Sequence, residues 1–291
     1  MAQSERAPIG VFDSGFGGLT VLAELIGQMP GEDIIFVGDS ARCPYGPRQL
    51  DEVRGFVLQI CSWLVERGCK LIIIACNTAT AAGLQAAQRA FPVPIIGVVE
   101  PGARAAVHAT HSRAVGVIAT RGTVASGAYE RAIHHLDAGI EVVSLATPPF
   151  VELVEQGLQH RSGVEPAADV AELFPYAAYG SLVRETLAPL RKLPLDTLVL
   201  GCTHYPVIRH LIGEAMGPGV TLVSSAEEAA RDAHQILHRR EALADDAQVA
   251  VRSFFTTGGD VADFERFGSL VLGFPIGEVH HLDLPAYRED V

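Results

Sequence analysis

At 291 residues, 48% hydrophobic and 19% charged, the chain is too long for one comfortable core and too apolar to be disordered, and domains of roughly 100–200 residues make two the expectation. A balance of 34 acidic against 22 basic residues gives a formal charge of −12 with no Lys/Arg-rich block, which argues against general nucleic-acid binding because a phosphate backbone demands clustered cations. No apolar run approaches the roughly 20 residues of a membrane span, and the polar start leads straight into a strand-like run without the basic-then-apolar order of a secretion signal, so a cytoplasmic chain with no membrane partner is expected.

In chain order, short apolar runs alternate with stretches of helical spacing. Strands are expected at 9–12, 34–37, 71–75, 95–99, 114–118, 141–145, 197–200, 220–223 and 251–255, with helices at 19–28, 49–67, 79–90, 127–136, 181–192 and 226–243. This is the βαβ rhythm of doubly wound, mainly parallel sheets, and the fold class is α/β. Gly and Pro punctuate the seams between elements.

In open parallel sheets ligands bind beyond the carboxyl ends of the strands, so the residues that follow each apolar run are the ones to inspect. They are Asp13-Ser14-Gly15, Gly38-Asp39-Ser40, Cys76-Asn77-Thr78, Glu100-Pro101-Gly102, Ala119-Thr120 and Gly201-Cys202-Thr203-His204. Two of these seams are alike: an aliphatic run, a small residue, a cysteine, then hydrogen-bonding side chains entering a helix. A thiol at a helix start feels the positive end of the helix dipole, which should lower its pKa toward neutrality and let it act as a thiolate base. Cys76 and Cys202 are therefore candidate catalytic residues.

The five cysteines are odd in number and contain no CxxC pair, which points to free thiols. Cys61, in a helical stretch beside Trp63, and Cys69, in a turn before a strand, read as packing residues. Cys43 lies among prolines on a rigid turn and is left out of the chemistry. His234 and His238 have i, i+4 spacing, but neither they nor His280-His281 come with a metal-binding motif, so no metal is expected and solvated surface imidazoles are the reading. Gly15-Phe16-Gly17-Gly18-Leu19-Thr20 lacks dinucleotide or Walker spacing and supports only tight backbone approach to a small anion.

The runs Ile9-Gly10-Val11-Phe12-Asp13-Ser14-Gly15-Phe16-Gly17-Gly18-Leu19-Thr20, Arg42-Cys43-Pro44-Tyr45-Gly46-Pro47-Arg48, Ala75-Cys76-Asn77-Thr78-Ala79-Thr80, Glu100-Pro101-Gly102-Ala103 and Leu200-Gly201-Cys202-Thr203-His204-Tyr205-Pro206 strongly resemble bacterial glutamate racemases over residues 9 to about 258. The resemblance implies two α/β domains facing each other across a central cleft, no cofactor, and interconversion of L- and D-glutamate that supplies D-glutamate for peptidoglycan synthesis. It implies that Cys76 deprotonates D-glutamate with help from Asp13, and Cys202 L-glutamate with help from His204. It further implies that Asp13, Ser14, Tyr45, Gly46, Asn77, Thr78, Thr120, Thr123, Thr203 and His204 bind substrate, with Asp39 and Glu155 as acids behind them. The physical logic agrees, because inverting a stereocentre by proton exchange needs a base on each face of the α-carbon.

The first domain is expected to comprise residues 1–98 and 209–291, with 99–208 forming the second. The tail, 259–291, lies beyond the well-matched region and should be a peripheral cover of the first domain. The chain lacks the longer N-terminal extension through which some proteobacterial relatives respond to a cell-wall precursor, so activation by that route is not expected. Two other functions stay open, a racemase of aspartate or another small amino acid, and a racemase that also inhibits DNA gyrase. Sequence supplies no interface for a gyrase partner or for a homo-oligomer.

Overall fold

The computed structural model describes residues 5–159 and 170–287. Its first half-sheet is built from β1 (Ile9–Asp13), α1 (Leu19–Gln28), β2 (Ile34–Gly38), α2 (Leu50–Glu66), β3 (Leu71–Ile74), α3 (Asn77–Ala90) and β4 (Ile95–Gly97). A second set follows: α4 (Val99–Ala109), β5 (Ala114–Ala119), α5 (Arg121–Ser126), α6 (Ala128–Leu136), β6 (Glu141–Ala146), α7 (Pro148–Gln159), α8 (Tyr176–Thr186), β7 (Thr197–Gly201), α9 (Arg209–Met216) and β8 (Thr221–Ser224). The chain then returns through α10 (Ser225–Arg239), β9 (Arg252–Thr256), α11 (Val261–Leu272) and β10 (Val279–His281). The strands form two separate sheets, ordered β10-β9-β2-β1-β3-β4 and β6-β5-β7-β8, and every pairing is parallel.

The central strands are apolar throughout because each face of each sheet is covered by helices. In the first sheet Ile9, Val11 and Ile73 join the core beneath α1 and α10, whereas Phe12, Ile72 and Ile74 point into the core beneath α2 and α3. The second sheet alternates in the same way: Ile118, Leu198 and Leu200 meet α7 and α9, and Val115, Val117 and Val199 meet α4 and α6. The border between domains is sharp at α4, where Val98 belongs to the first core and its neighbour Val99 to the second. Among the described residues no helix is long and apolar enough to cross a membrane.

Two expectations about the chain path are corrected. β8 pairs with β7, Thr197 opposite Thr221, so the chain stays in the second sheet through Ser224, and the expected return at residue 209 falls inside that sheet. The run at 220–223 is recognisable as a strand, but its sheet is chosen by a partner strand distant in sequence. The tail is also more than a peripheral cover. β10 extends the first sheet at β9, while α11 sends Phe264 into the first core and Phe267 and Leu270 into the second. An amphipathic pattern announces a buried face without saying which two surfaces it lies between.

Candidate active site

Five of the six strand-end seams lie at the carboxyl ends of β1, β2, β3, β5 and β7, and two of them face each other from different sheets; the sixth, Glu100-Pro101-Gly102, lies inside α4 and does not line the cavity. Ser14, Cys43, Tyr45, Gly46, Cys76, Asn77 and Thr78 from the first domain, together with Thr120, Glu155, Cys202, Thr203 and His204 from the second, line one partly open cavity. Its free volume is about 30 Å³, room for a water molecule or so and far below the roughly 300–1,000 Å³ of small-molecule sites.

Cys76 is the N-cap of α3, and its sulfur accepts a hydrogen bond from the Ala79 N–H at 3.5 Å. Its thiol donates to Ser14 Oγ at 3.6 Å. The expected fall in pKa is reversed here: burial, reinforced by the negative charge of Asp13, pushes the Cys76 thiol up to about 12. One helix-end hydrogen bond does not offset removal of a thiolate from water beside a carboxylate. Asp13 is fully buried, and its own pKa is raised by that burial, against the opposing pull of His204 and of hydrogen bonds from backbone amides. The Gly15 N–H donates to Asp13 Oδ2 at 3.0 Å, and Thr203 Oγ1 donates to Asp13 Oδ1 at 3.5 Å from the facing domain. Asp13 thus acts on Cys76 through its charge, and Ser14 is the side chain that touches the sulfur.

Cys202 enters no α-helix directly. A 3₁₀ turn, Tyr205–Ile208, comes between it and α9. Its sulfur lies 3.7 Å from His204 Nδ1, and the opposite nitrogen, Nε2, lies 3.3 Å from Glu155 Oε1 of α7. Burial disfavours the imidazolium, but the contact with Cys202 and the nearby Glu155 carboxylate outweigh it and raise His204 to about 10. Phe16 packs edge-on against the imidazole at 5.3 Å between centroids and leans on Phe267 of α11 at 5.0 Å. A Cβ on Gly17 would stand 2.6 Å from Thr203 Oγ1 and 2.7 Å from His204 Nδ1. The glycine turn therefore admits the facing domain, and the small-anion reading of that turn gives way to this close approach.

Three hydroxyls meet across the cleft: Thr78 Oγ1 is 2.9 Å from Thr120 Oγ1 and 3.2 Å from Thr123 Oγ1. Thr120 also caps α5 through the Thr123 N–H, so a capping oxygen and a cavity oxygen are the same atom. Asn77 Oδ1 accepts from Tyr129 Oη of α6 at 2.7 Å, while its buried Nδ2 has no hydrogen-bond partner. Asp39 stands behind the cavity wall: it accepts hydrogen bonds from the Tyr45 hydroxyl, from Arg42 Nε at 2.6 Å and from Thr257 Oγ1 at 2.7 Å. The Gly46 carbonyl in turn accepts from the Gly122 N–H of α5 at 3.0 Å. Tyr129 and Phe16 were not singled out by sequence, because an aromatic residue at a buried helix or loop position reads as core.

Of the remaining thiols, two are buried packing groups and one, Cys43, is partly buried at the cavity edge. Cys61 and Cys69 lie in the first core, and burial raises the pKa of each. Cys43 borders the cavity, where burial first and neighbouring negative charges second also raise its pKa. His234 and His238 lie side by side on α10, outside the cavity, with ring centroids 6.3 Å apart.

The family model for Asp/Glu/Hydantoin racemase matches residues 20–233. The chain belongs to that racemase family. Among family members, a glutamate racemase from Bacillus cereus is 45% identical over 276 residues, covering 95% of this chain and 97% of its own. The crystal structure of a glutamate racemase from Bacillus anthracis superimposes with a TM-score of 0.87 at 42% identity, over 97% of this chain and 100% of its own. That of Francisella tularensis glutamate racemase, in complex with D-glutamate, gives a TM-score of 0.84 at 31% identity over 97% of this chain and 100% of its own.

Proposed function

We propose that this chain is a cytoplasmic glutamate racemase that interconverts L- and D-glutamate by a two-thiol mechanism and thereby supplies D-glutamate for peptidoglycan synthesis. The observation that carries the reading is the meeting of Cys76 and Cys202, from the carboxyl ends of two different sheets, at one cavity. Nearly full-length likeness to glutamate racemases supports the substrate.

In this reading Cys202, with the positive charge of His204 beside it, takes the α-proton of L-glutamate. A new S–H bond forms, the Cα–H bond breaks, and its electron pair spreads into the α-carboxylate. The protonated Cys76 on the other face then delivers its proton to Cα and yields D-glutamate, and the reverse reaction exchanges the two roles. The substrate-free site is set for the L-to-D direction, because burial and Asp13 keep the proton on Cys76 while His204 holds a cation against Cys202. The hydroxyls of Thr78, Thr120 and Thr123 and the amide of Asn77 offer donors to the substrate carboxylates. The cavity is too small for glutamate as it stands, so the two domains part to admit substrate and close again to exclude water.

The test is circular dichroism of L-glutamate and of D-glutamate incubated with the purified chain without added cofactor. Both signals should decay to zero, and aspartate should be turned over far more slowly. Stable glutamate signals, or faster turnover of aspartate, would overturn the assignment.

A further inference from the structure

We propose that Tyr129 is a positioning residue for substrate binding, its phenol fixing the amide of Asn77 so that the Nδ2 donor is presented to a substrate carboxylate. This rests on the reading above that the cavity takes glutamate.

A primary amide carries one acceptor and two donors on groups of nearly equal size, so its recognition sense depends on which end is pinned. Asn77, the first residue of α3 and the neighbour of Cys76, is 2% exposed and borders the cavity. Its Oδ1 is taken by Tyr129 Oη at 2.7 Å. Its Nδ2 is buried without a hydrogen-bond partner. A buried donor left unpaired is costly in a finished core and is what an anionic ligand would satisfy. If the amide turned over, Oδ1 would face the carboxylate, and two acceptors would oppose each other. The Tyr129 hydroxyl favours the productive orientation because burial holds the phenol protonated, well above its usual range, so it always has a proton to donate.

The phenol is itself held in place. Tyr129 is 2% exposed, and its ring passes two glycines: a Cβ would fall 3.3 Å from the phenol oxygen at Gly102 and 3.0 Å from a ring carbon at Gly201. The Tyr129–Asn77 bond runs from the second domain to the first directly beside Cys76, so substrate recognition on the first domain depends on a group that the second domain supplies.

The experiment is steady-state racemisation by the wild-type chain, Tyr129→Phe, Asn77→Ala and the double variant, with thermal unfolding of each. The phenylalanine is nearly isosteric and keeps the ring packing. Tyr129→Phe should raise KM for both enantiomers by about ten-fold while kcat stays within about two-fold, the pattern of an interaction made equally in the ground and transition states. Asn77→Ala should raise KM at least as much, and the double variant no further. An unchanged KM in Tyr129→Phe, or losses that multiply in the double variant, would overturn the proposal. An unchanged KM in Asn77→Ala would overturn it too, by removing the carboxylate contact while leaving the racemase assignment intact. A wild-type chain inactive on glutamate would strike the assignment itself, and the positioning role with it.

Discussion

Cys76 and Cys202 border the same cavity in opposite electrostatic settings. Cys76 caps an α-helix, touches the Ser14 hydroxyl and faces the buried carboxyl of Asp13, and the negative charge there joins burial in keeping its proton on. Cys202 has no such cap; it has an imidazole 3.7 Å away, backed by the Glu155 carboxylate. Two sequence seams that look like repeats are thus different machines. In the two-thiol reading proposed above, Cys76 gives the first proton and Cys202, beside the imidazole, takes one, as two-base inversion requires.

The largest effect expected breaks the comparison outright. Cys76→Ala and Cys202→Ala should each reduce racemisation in both directions by about 10⁴-fold, the upper end of what a positioned acid or base contributes, whereas Cys61→Ala should retain activity because that thiol only fills core. Circular dichroism of either enantiomer checks this, and appreciable turnover by either of the first two variants contradicts the two-thiol mechanism.

A smaller, direction-dependent loss sharpens it. His204→Asn should slow α-deuterium exchange from L-glutamate by about 10²-fold more than exchange from D-glutamate, and Asp13→Asn should do the reverse. Exchange must be followed for each enantiomer under initial-rate conditions, since equilibrium fixes the ratio of overall kcat/KM in the two directions. Equal losses from both enantiomers in both variants would remove the assignment of helpers and leave the thiols in place.

The mildest effect is on pH dependence. His204, raised to about 10, keeps its proton below that pH and loses it above, so the contribution of a cation beside Cys202 is present at neutral pH and disappears as pH rises through that value. Glu155 is one of the groups that raise it. Glu155→Gln should therefore move the alkaline limb of L-glutamate exchange to lower pH and cost only a few-fold in rate near neutrality, by roughly one charge-assisted hydrogen bond. A pH–rate profile with an unmoved alkaline limb would show that Glu155 does not tune the imidazole.

The sequence by itself determined the α/β class, because strands covered on both faces must be apolar throughout, and the run 71–74 could serve little else. It also placed polar residues at strand ends, where parallel topology puts a site, and Ser14, Cys76, Asn77, Thr78, Thr120, Cys202, Thr203 and His204 among them line the cavity, whereas Asp39 stands behind its wall and Glu100 lies elsewhere. Tertiary structure alone decided the rest. Which sheet receives β8 depends on pairing with Thr197–Gly201, and whether α11 serves one core or two depends on what lies on either side of it. The protonation of Cys76 turned on burial and on Asp13, whose charge comes from the end of β1, more than sixty residues earlier in the chain. Tyr129 and Phe16 carry no local mark of their role, since an aromatic side chain shows its partner only when the fold brings Asn77 or His204 against it. Hydrophobic periodicity is a short-range property, whereas desolvation, charge proximity and the choice of strand partner are set by residues that meet only after folding.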